Sequence, residues 1–583
     1  MTVTEQARPR FVRFLPFLAL PMLAACAQGG AIRPAAAPVQ PVTVGIVAIN
    51  DFHGSIEPPR QSVLAPDGKG GQVQVPAGGA AWLASAVDTV RSQYPYHLTV
   101  SAGDLISASQ LASSIYLDEP AIGVMNRLGL DFNAVGNHEF DRGRTELLRM
   151  QNGGCAQNTP RKPCAVEQFK GAQFRFLAAS TLTESGKPLF PPYMIRSFGS
   201  GRQQVKVAII GLTLKGTPDL VSPGGIKGLR FADEADTINA LVPVLKGKGA
   251  DAVVVLIHQG GTQDSPGDPN GCAGFTGEIR PILDRLDPRV DLVVSGHTHK
   301  AYVCSYGDLN PARPILLTSA GVYGQLVTDI TLQIDPAAHR VVAKRARNVI
   351  VQSAPYTGSS RLIPNTALYP QFAPRGDVAA YVQTYADAAK GFASRPAGKI
   401  AGPASGLALG QLIADGQLAA TRSAGAQIAL MNPFGIRSTL VPRDGGLLTF
   451  GDLYAVQPFN NTLVTQSMTG AELKAVLEQG FDANGPEQVL IPSAGFSFNY
   501  DKARPVGQRI AAMSLNGQPI DPAGMYRVTT NSFLAQGGDS FTVFAAQRTA
   551  QIGVSDLEAL EAWLKADPAR PVPAEARATE IKP

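Results

Sequence analysis

Val42-Thr43-Val44-Gly45-Ile46-Val47-Ala48-Ile49-Asn50-Asp51-Phe52-His53-Gly54 is an apolar run of strand length that ends in an amide, a carboxylate and an imidazole. The pattern recurs downstream. Residues 98–102 lead into Gly103-Asp104, and Gly136-Asn137-His138-Glu139-Phe140-Asp141 forms a second polar cluster. Residues 252–257 lead into His258-Gln259-Gly260-Gly261, and Leu292–Ser295 leads into Gly296-His297-Thr298-His299. Five of the seven histidines fall in these clusters, and only His97 and His339 lie outside them. The runs are continuous rather than alternating, which suits strands covered on both faces. Further strand-like runs lie at 174–179, 205–212 and 315–318, with helix candidates at 79–91, 233–246 and 277–286. The region from 42 to 345 therefore reads as an α/β sandwich with its function on loops at strand ends.

Asp51 and His53 are two residues apart, as are His297 and His299, so each pair projects to one side of an extended segment. Asp104 can bind a metal with each oxygen and is the natural bridge between two ions. Asn137 offers a neutral carbonyl and His258 another imidazole. Mixed nitrogen and oxygen donors suit Zn, Mn or Fe and argue against calcium. A lone histidine at a strand end is more often structural than ligating. It is the occurrence of all these donors together, in one region, that points to a two-metal hydrolase.

A chain of 583 residues exceeds what one core supports, so two or more domains are expected. Three arginines and one glutamate lie in residues 1–25, so without them the formal charge falls from +5 to +3. That is too little to argue for a nucleic-acid polymer as partner. Arg8, Arg10 and Arg13 precede an apolar stretch at 14–25 too short to span a bilayer well, which reads as an export signal. Leu23-Ala24-Ala25-Cys26 resembles a bacterial lipobox, making Cys26 the candidate lipidation site and 26–41 its tether. Ala27, in place of aspartate, favours the outer membrane facing the periplasm, or the cell surface, with the lipid as the sole membrane contact. Setting Cys26 aside leaves Cys155, Cys164, Cys272 and Cys304, an even number that suggests disulfides in an exported protein. Cys155–Cys164 would close a short loop, and Cys272–Cys304 would tie the loop after His258 to the segment after His299. A zinc site is the alternative, although the paired CxxC spacing is lacking.

Residues 346–395 hold many Pro, Ser, Thr and Gly residues and end in a helical pattern at 377–392, which reads as a linker and hinge helix. A second α/β domain follows at 396–565, with helix candidates at 407–418 and 470–478 and strands at 427–431 and 489–498. Residues 566–583 read as a mobile tail.

Together these motifs resemble the 5′-nucleotidase family of calcineurin-like metallophosphoesterases, over almost the whole chain after the signal. The resemblance implies a four-layer α/β/β/α metallophosphoesterase sandwich, a linker helix and an α/β substrate-binding domain. It implies two divalent metal ions, one held by Asp51, His53, Asp104 and His299, the other by Asp104, Asn137, His258 and His297. His138 would be catalytic, oriented by Asp141, and water activated by the metals would attack phosphorus in line. Asn432-Pro433-Phe434-Gly435-Ile436-Arg437 resembles the family's Asn-Gly-Gly-Gly-Ile-Arg segment. Gln457-Pro458-Phe459-Asn460-Asn461-Thr462 and the segment from Thr530 to Asp539 resemble its two substrate-clamp segments. By that match Phe459 and Phe533 would sandwich a base, Asp539 would contact the nucleoside and Arg437 the phosphate, with Asn432 in the same pocket.

The chain departs from the family in two places. No basic residue lies between Pro403 and Asp415, where family members often carry an arginine, and Pro433-Phe434 replaces two glycines. The leading expectation is hydrolysis of nucleoside 5′-monophosphates. A 2′,3′-cyclic nucleotide phosphodiesterase with 3′-nucleotidase activity, or a UDP-sugar pyrophosphatase, would share the metal site and differ only in the C-terminal pocket. A surface lipoprotein that binds nucleosides or a partner without catalysis is the non-enzymatic alternative.

Overall fold

The computed structural model describes residues 40–581, apart from 59–61, 160, 222, 266, 358–361, 460, 483–486 and 547–549. The export signal, Cys26 and most of the tether lie outside the described residues. Two six-stranded sheets form the N-terminal lobe. In the first, Val42–Ile49, His97–Ser101, Phe132–Ala134 and Arg175–Leu177 run parallel, and Leu326–Asp335 and Arg340–Ile350 add an antiparallel edge. In the second, Val205–Thr213, Ala252–His258, Leu292–Ser295 and Leu316–Ala320 run parallel, flanked by antiparallel Tyr193–Phe198 and Ala301–Ser305.

The continuous apolar runs follow from the layering. In Val42–Ile49, Val44, Ile46 and Ala48 enter the core between the sheets, while Val47 and Ile49 pack outward against helices. Val254 and Leu256 share that inner core, and Val253, Val255 and Ile257 face helices on the opposite side. Helix Ala80–Arg91 covers the first sheet, and Glu234–Gly247 and Ile279–Arg285 cover the second, which makes four layers. Each buried Val or Ile side chain contributes on the order of 1.5–3 kcal/mol, which is why apolar residues dominate both faces of these strands.

The boundary segments differ from the sequence reading. Arg340–Ile350 belongs to the first sheet, so the N-terminal lobe runs past residue 345. Beyond it Gln352, buried, bonds to the backbone of Thr366, Tyr369 and Pro370, which draws much of the expected linker onto the lobe. Helix Gly376–Ala393 packs on Ala80–Arg91 and Glu119–Leu128 of the first lobe and on Phe450–Val456 of the second. Its buried face is Val378, Tyr381, Val382, Tyr385 and Ala389.

The second lobe holds a five-stranded sheet containing Ile428–Met431, Met525–Asn531 and Thr462–Thr469, and a four-stranded sheet containing Phe496–Tyr500. The run at 489–498 breaks into Ile491–Pro492 and Phe496–Tyr500 around Gly495, whose φ is +87°. The last segment is not a loose tail. Ala578–Glu580 pairs in parallel with Phe496–Tyr500, and Arg577 holds Asp415 at 2.7 Å. A backbone ladder plus an ion pair was invisible in a composition dominated by Pro, Ala and Glu. The cysteines pair as Cys155–Cys164 and Cys272–Cys304. Among the described residues no helix is long and apolar enough to cross a membrane.

Candidate functional site

The carboxyl ends of the parallel strands bring the polar clusters together, the usual place for a site in such sheets. Val42–Ile49 delivers Asp51 and His53, His97–Ser101 delivers Asp104, Ala252–His258 ends in His258, and Leu292–Ser295 precedes His297 and His299. Three groups of potential ligand atoms result: Asp51, His53 and His299; His53, Asp104 and His138; and Asp104, His258 and His297. Asp104 belongs to the last two. Its Oδ2 lies 2.9 Å from His258 Nε2 and 3.8 Å from His53 Nε2. Asn137 Oδ1 stands 3.1 Å from His258 Nε2 and 3.2 Å from His297 Nδ1. His299 Nε2 is 3.2 Å from His53 Nε2 and 3.6 Å from Asp51 Oδ1. All seven residues singled out as ligands converge.

The backbone is bent to achieve this. Asp51, His53, Asp104, His297 and His299 all have φ between +47° and +71°, a region that side-chain-bearing residues adopt at a cost of order 1–3 kcal/mol each. Gly103 makes room as well: a Cβ there would lie 2.5 Å from His258 Nδ1, and its φ is +94°.

The donor chemistry fits divalent cations. His53 Nδ1 donates to the Ser107 carbonyl at 2.9 Å, which leaves Nε2 as a bare lone pair facing His299 Nε2. Burial pushes His53 and His297 down to about 3, so both imidazoles are neutral. Burial opposes charge on His258 too, but the Asp104 and Asp51 carboxylates raise it to about 10. In the protein's own field a proton on His258 Nε2 therefore occupies the place where a cation would neutralise Asp104. Burial raises Asp51 to about 7.

Beside the cluster, His138 Nδ1 donates to Asp141 Oδ2 at 2.8 Å. Burial lowers this imidazole's affinity for a proton, but Asp141 and Asp104 outweigh it and the net shift is upward. The other ring nitrogen is left for chemistry.

The second lobe closes a cleft of about 540 Å³ over the cluster. Asp104, Asn137, His138, His297 and His299 line its floor, and Asn432, Phe434, Arg437, Phe459, Phe533 and Asp539 line the opposite wall. Phe459 lies parallel to His138, with ring centroids 5.9 Å apart and planes 18° off. Arg437 Nη2 is buried and has no hydrogen-bond partner among the described residues, and its charge acts on His53, His138 and His299. Asn432 uses both ends of its amide within the protein, donating to Asp539 at 2.8 Å and accepting from Asn531 at 3.0 Å, so it holds Asp539 in place. Phe434 follows Pro433 in a single 3-10 turn and is 46% exposed in the cleft.

Glu139 was not singled out from the sequence. Its carboxylate accepts from the amides of Asp104, Leu105 and Gly136, fixing the loop that presents Asp104. Burial and Asp104 push it up to about 8. An acid placed inside a glycine-flanked motif, where a ligand reading uses only its neighbours, was the available signal. Asn50 likewise had no role in the sequence reading. It donates to Asp51 and to the Gly321 carbonyl.

Known families share this architecture. Residues 45–301 match the calcineurin-like phosphoesterase model, and residues 386–546 match the 5′-nucleotidase C-terminal domain. The chain belongs to the 5′-nucleotidase family of calcineurin-like phosphoesterases. It is 31% identical over 540 residues to the endonuclease YhcR of Bacillus subtilis, covering 91% of this chain but only 40% of that protein. The NAD 5′-nucleotidase of Haemophilus influenzae is 23% identical over 568 residues, covering 86% of each. The crystal structure of a 5′-nucleotidase precursor from Thermus thermophilus superposes with a TM-score of 0.72 at 26% identity, covering 93% of this chain and all of that one. The chain thus carries the domains of a phosphoric ester hydrolase, and its family's reliance on divalent metals agrees with the His/Asp clusters above.

Proposed function

We propose that this chain is an exported dimetal phosphohydrolase that releases phosphate from nucleoside 5′-monophosphates. One observation carries the reading. A ligand cluster joined by Asp104 forms the floor of a cleft whose opposite wall presents a guanidinium nitrogen unpartnered among the described residues, and two aromatic rings. Asp51, His53, Asp104 and His299 would hold one divalent cation, and Asp104, Asn137, His258 and His297 the other. Bound there, such a pair supplies Lewis acidity and an activated water.

The chain's own groups do the rest. Arg437 has an N–H to offer a phosphoryl oxygen, and a guanidinium suits such an anion. Phe459 and Phe533 offer faces to a base, and stacking of this kind is worth about 1–3 kcal/mol per base while tolerating different bases. His138, with Nδ1 occupied by Asp141, has Nε2 for the leaving alkoxide, and its raised proton affinity keeps the acid form available. Export and lipidation at Cys26 rest on the sequence at 8–26.

Phe434 supports a second reading. An additional exposed aromatic in the cleft would suit a substrate with a second ring, such as a dinucleotide or nucleotide sugar. Analysis of the products (inorganic phosphate, nucleoside monophosphate and nucleoside) formed by the purified protein from 5′-, 3′- and 2′,3′-cyclic nucleotides, UDP-glucose and NAD, with Mn²⁺, Zn²⁺ or chelator, separates these. Hydrolysis of 5′-monophosphates ahead of the others is expected, and preference for a cyclic nucleotide or a pyrophosphate would replace the leading reading.

A further inference from the structure

A short helix of the first lobe, Leu111–Ser114, reaches into the second. Leu111 is buried in the second lobe's core with Leu453, Tyr454 and Val456, and Ile115 packs beside it. At the end of this helix Ser114 Oγ meets the Tyr454 hydroxyl, which is also 2.8 Å from the Pro458 carbonyl. Both Ser114 Oγ and the Pro458 carbonyl stand as acceptors for the Tyr454 hydroxyl, whose single proton they share. Ser114 Oγ accepts in turn from Arg142 Nη2 at 3.0 Å. Arg142 Nη1 pairs with the buried Asp118 and donates to Ser107 Oγ at 3.1 Å. The backbone oxygen of Ser107 is the acceptor for His53 Nδ1. A line of bonded groups thus runs from a metal-ligand histidine, across the lobe interface, to the carbonyl beside Phe459. Tyr454, Ser114, Ser107 and Asp118 are all buried.

We propose that Tyr454 is a positioning residue for nucleotide binding, its hydroxyl fixing the Phe459 segment relative to His138 and the ligand cluster. The inference rests on the reading of Phe459 as a stacking residue. A base stacked on Phe459 must leave its phosphate over Arg437 and the cluster, and small misplacements of a bound substrate are costly. The relay suits that task. It starts from a charged guanidinium, which strengthens the bonds it donates, and Ser114 Oγ, held by Arg142, and the Pro458 carbonyl together fix the place of the Tyr454 hydroxyl. A substrate with no base to be positioned gains nothing from the arrangement.

Tyr454→Phe keeps the ring in the core and removes only the hydroxyl, and Ser114→Ala breaks the same line one step earlier. Both, their double variant and Phe459→Ala are compared with wild type in the full chain, on the best 5′-nucleotide of the panel and on bis(p-nitrophenyl) phosphate. Each single variant is expected to raise KM for the nucleotide about five- to tenfold, the scale of one buried hydrogen bond. The double variant should be no worse than the more impaired single, because both break one line. The kcat/KM for the small diester should stay within about twofold, on the same scale of precision. Equal losses on the two substrates, additive losses, or no change in nucleotide KM would each overturn the positioning role. If Phe459→Ala also fails to discriminate between the substrates, the clamp reading itself falls and takes this inference with it.

Discussion

His138 and Asp141 are joined through Nδ1 and Oδ2 at 2.8 Å, across the 3-10 turn His138–Phe140. The turn places the carboxylate beside the imidazole and leaves the far ring nitrogen toward the cleft. His138→Ala should therefore lower kcat by roughly 10²–10⁴, the scale of a positioned general acid, with metal content unchanged. Loss of a metal from that variant would make His138 a ligand, which its proximity to His53 and Asp104 also permits. Asp141→Asn tests the electrostatics of the same pair. Burial lowers the proton affinity of His138, and Asp141 and Asp104 raise it above the ordinary value. A general acid works while protonated, so its contribution is lost as pH rises through its pKa. Removing the Asp141 charge lowers that pKa, and the alkaline fall in kcat should move to lower pH. An alkaline limb that stays in place, or moves up, would show that this imidazole does not govern it.

Asp104→Ala removes a donor shared by both proposed ions. Turnover should be abolished and metal content should fall, against close to two ions per chain in wild type, as a bridging carboxylate requires. Full activity in a protein shown to be metal-free would end the dimetal reading.

Metal removal should also change how stability depends on pH. Burial raises Asp51 to about 7, burial and Asp104 raise Glu139 to about 8, and the Asp104 and Asp51 carboxylates, against burial, raise His258 to about 10 in the folded protein. Each holds its proton more tightly folded than unfolded, so its contribution is full below the unfolded pKa and lost as pH rises through the folded one. His53 and His297 are lowered to about 3 and titrate on the acid side of this window. Chelated protein should thus lose thermal stability as pH rises from about 7 to about 10, mainly through His258, and metal-loaded protein should lose less, because cations replace those protons. A melting temperature of the chelated protein that is flat or rising over that range contradicts the assignment.

The convergence of the His/Asp cluster was legible in the sequence because each of its residues sits where an apolar run stops, and Val42–Ile49 and Leu292–Ser295 have the same bounds in the structure. Glu139 was harder to read because its role is to bond backbone amides, and those partners leave no mark in residue type. The same holds for Tyr454, whose hydroxyl meets Ser114 across 340 positions of sequence. Ala578–Glu580 was read as tail because three residues of edge strand carry no periodicity.

Lipidation at Cys26 is a prediction from Leu23-Ala24-Ala25-Cys26 alone. Expressed in a bacterium that processes lipoproteins, the wild type should fractionate with membranes and carry acyl mass on its N-terminal peptide. Cys26→Ser should release it to the soluble fraction. Wild-type protein that is soluble and free of acyl mass refutes the anchor.

Phe459 and Phe533 come from the second lobe, while every proposed metal ligand comes from the first, so the complete site exists only between them. Phe459 sits over His138, and a Cβ on Gly538 would come within 2.5 Å of the Phe533 ring, so that ring rests on bare backbone. Replacing both phenylalanines by alanine removes two stacking faces, each worth about 1–3 kcal/mol by the usual measure for bases. KM for nucleotides should rise by about tenfold or more, on the same scale. Bis(p-nitrophenyl) phosphate, which lacks a nucleoside, should be cleaved at close to the wild-type rate if the two rings serve the base alone. Equal losses on nucleotide and diester would instead mean that these rings support the fold of the second lobe, and the base would have to be held elsewhere in the cleft.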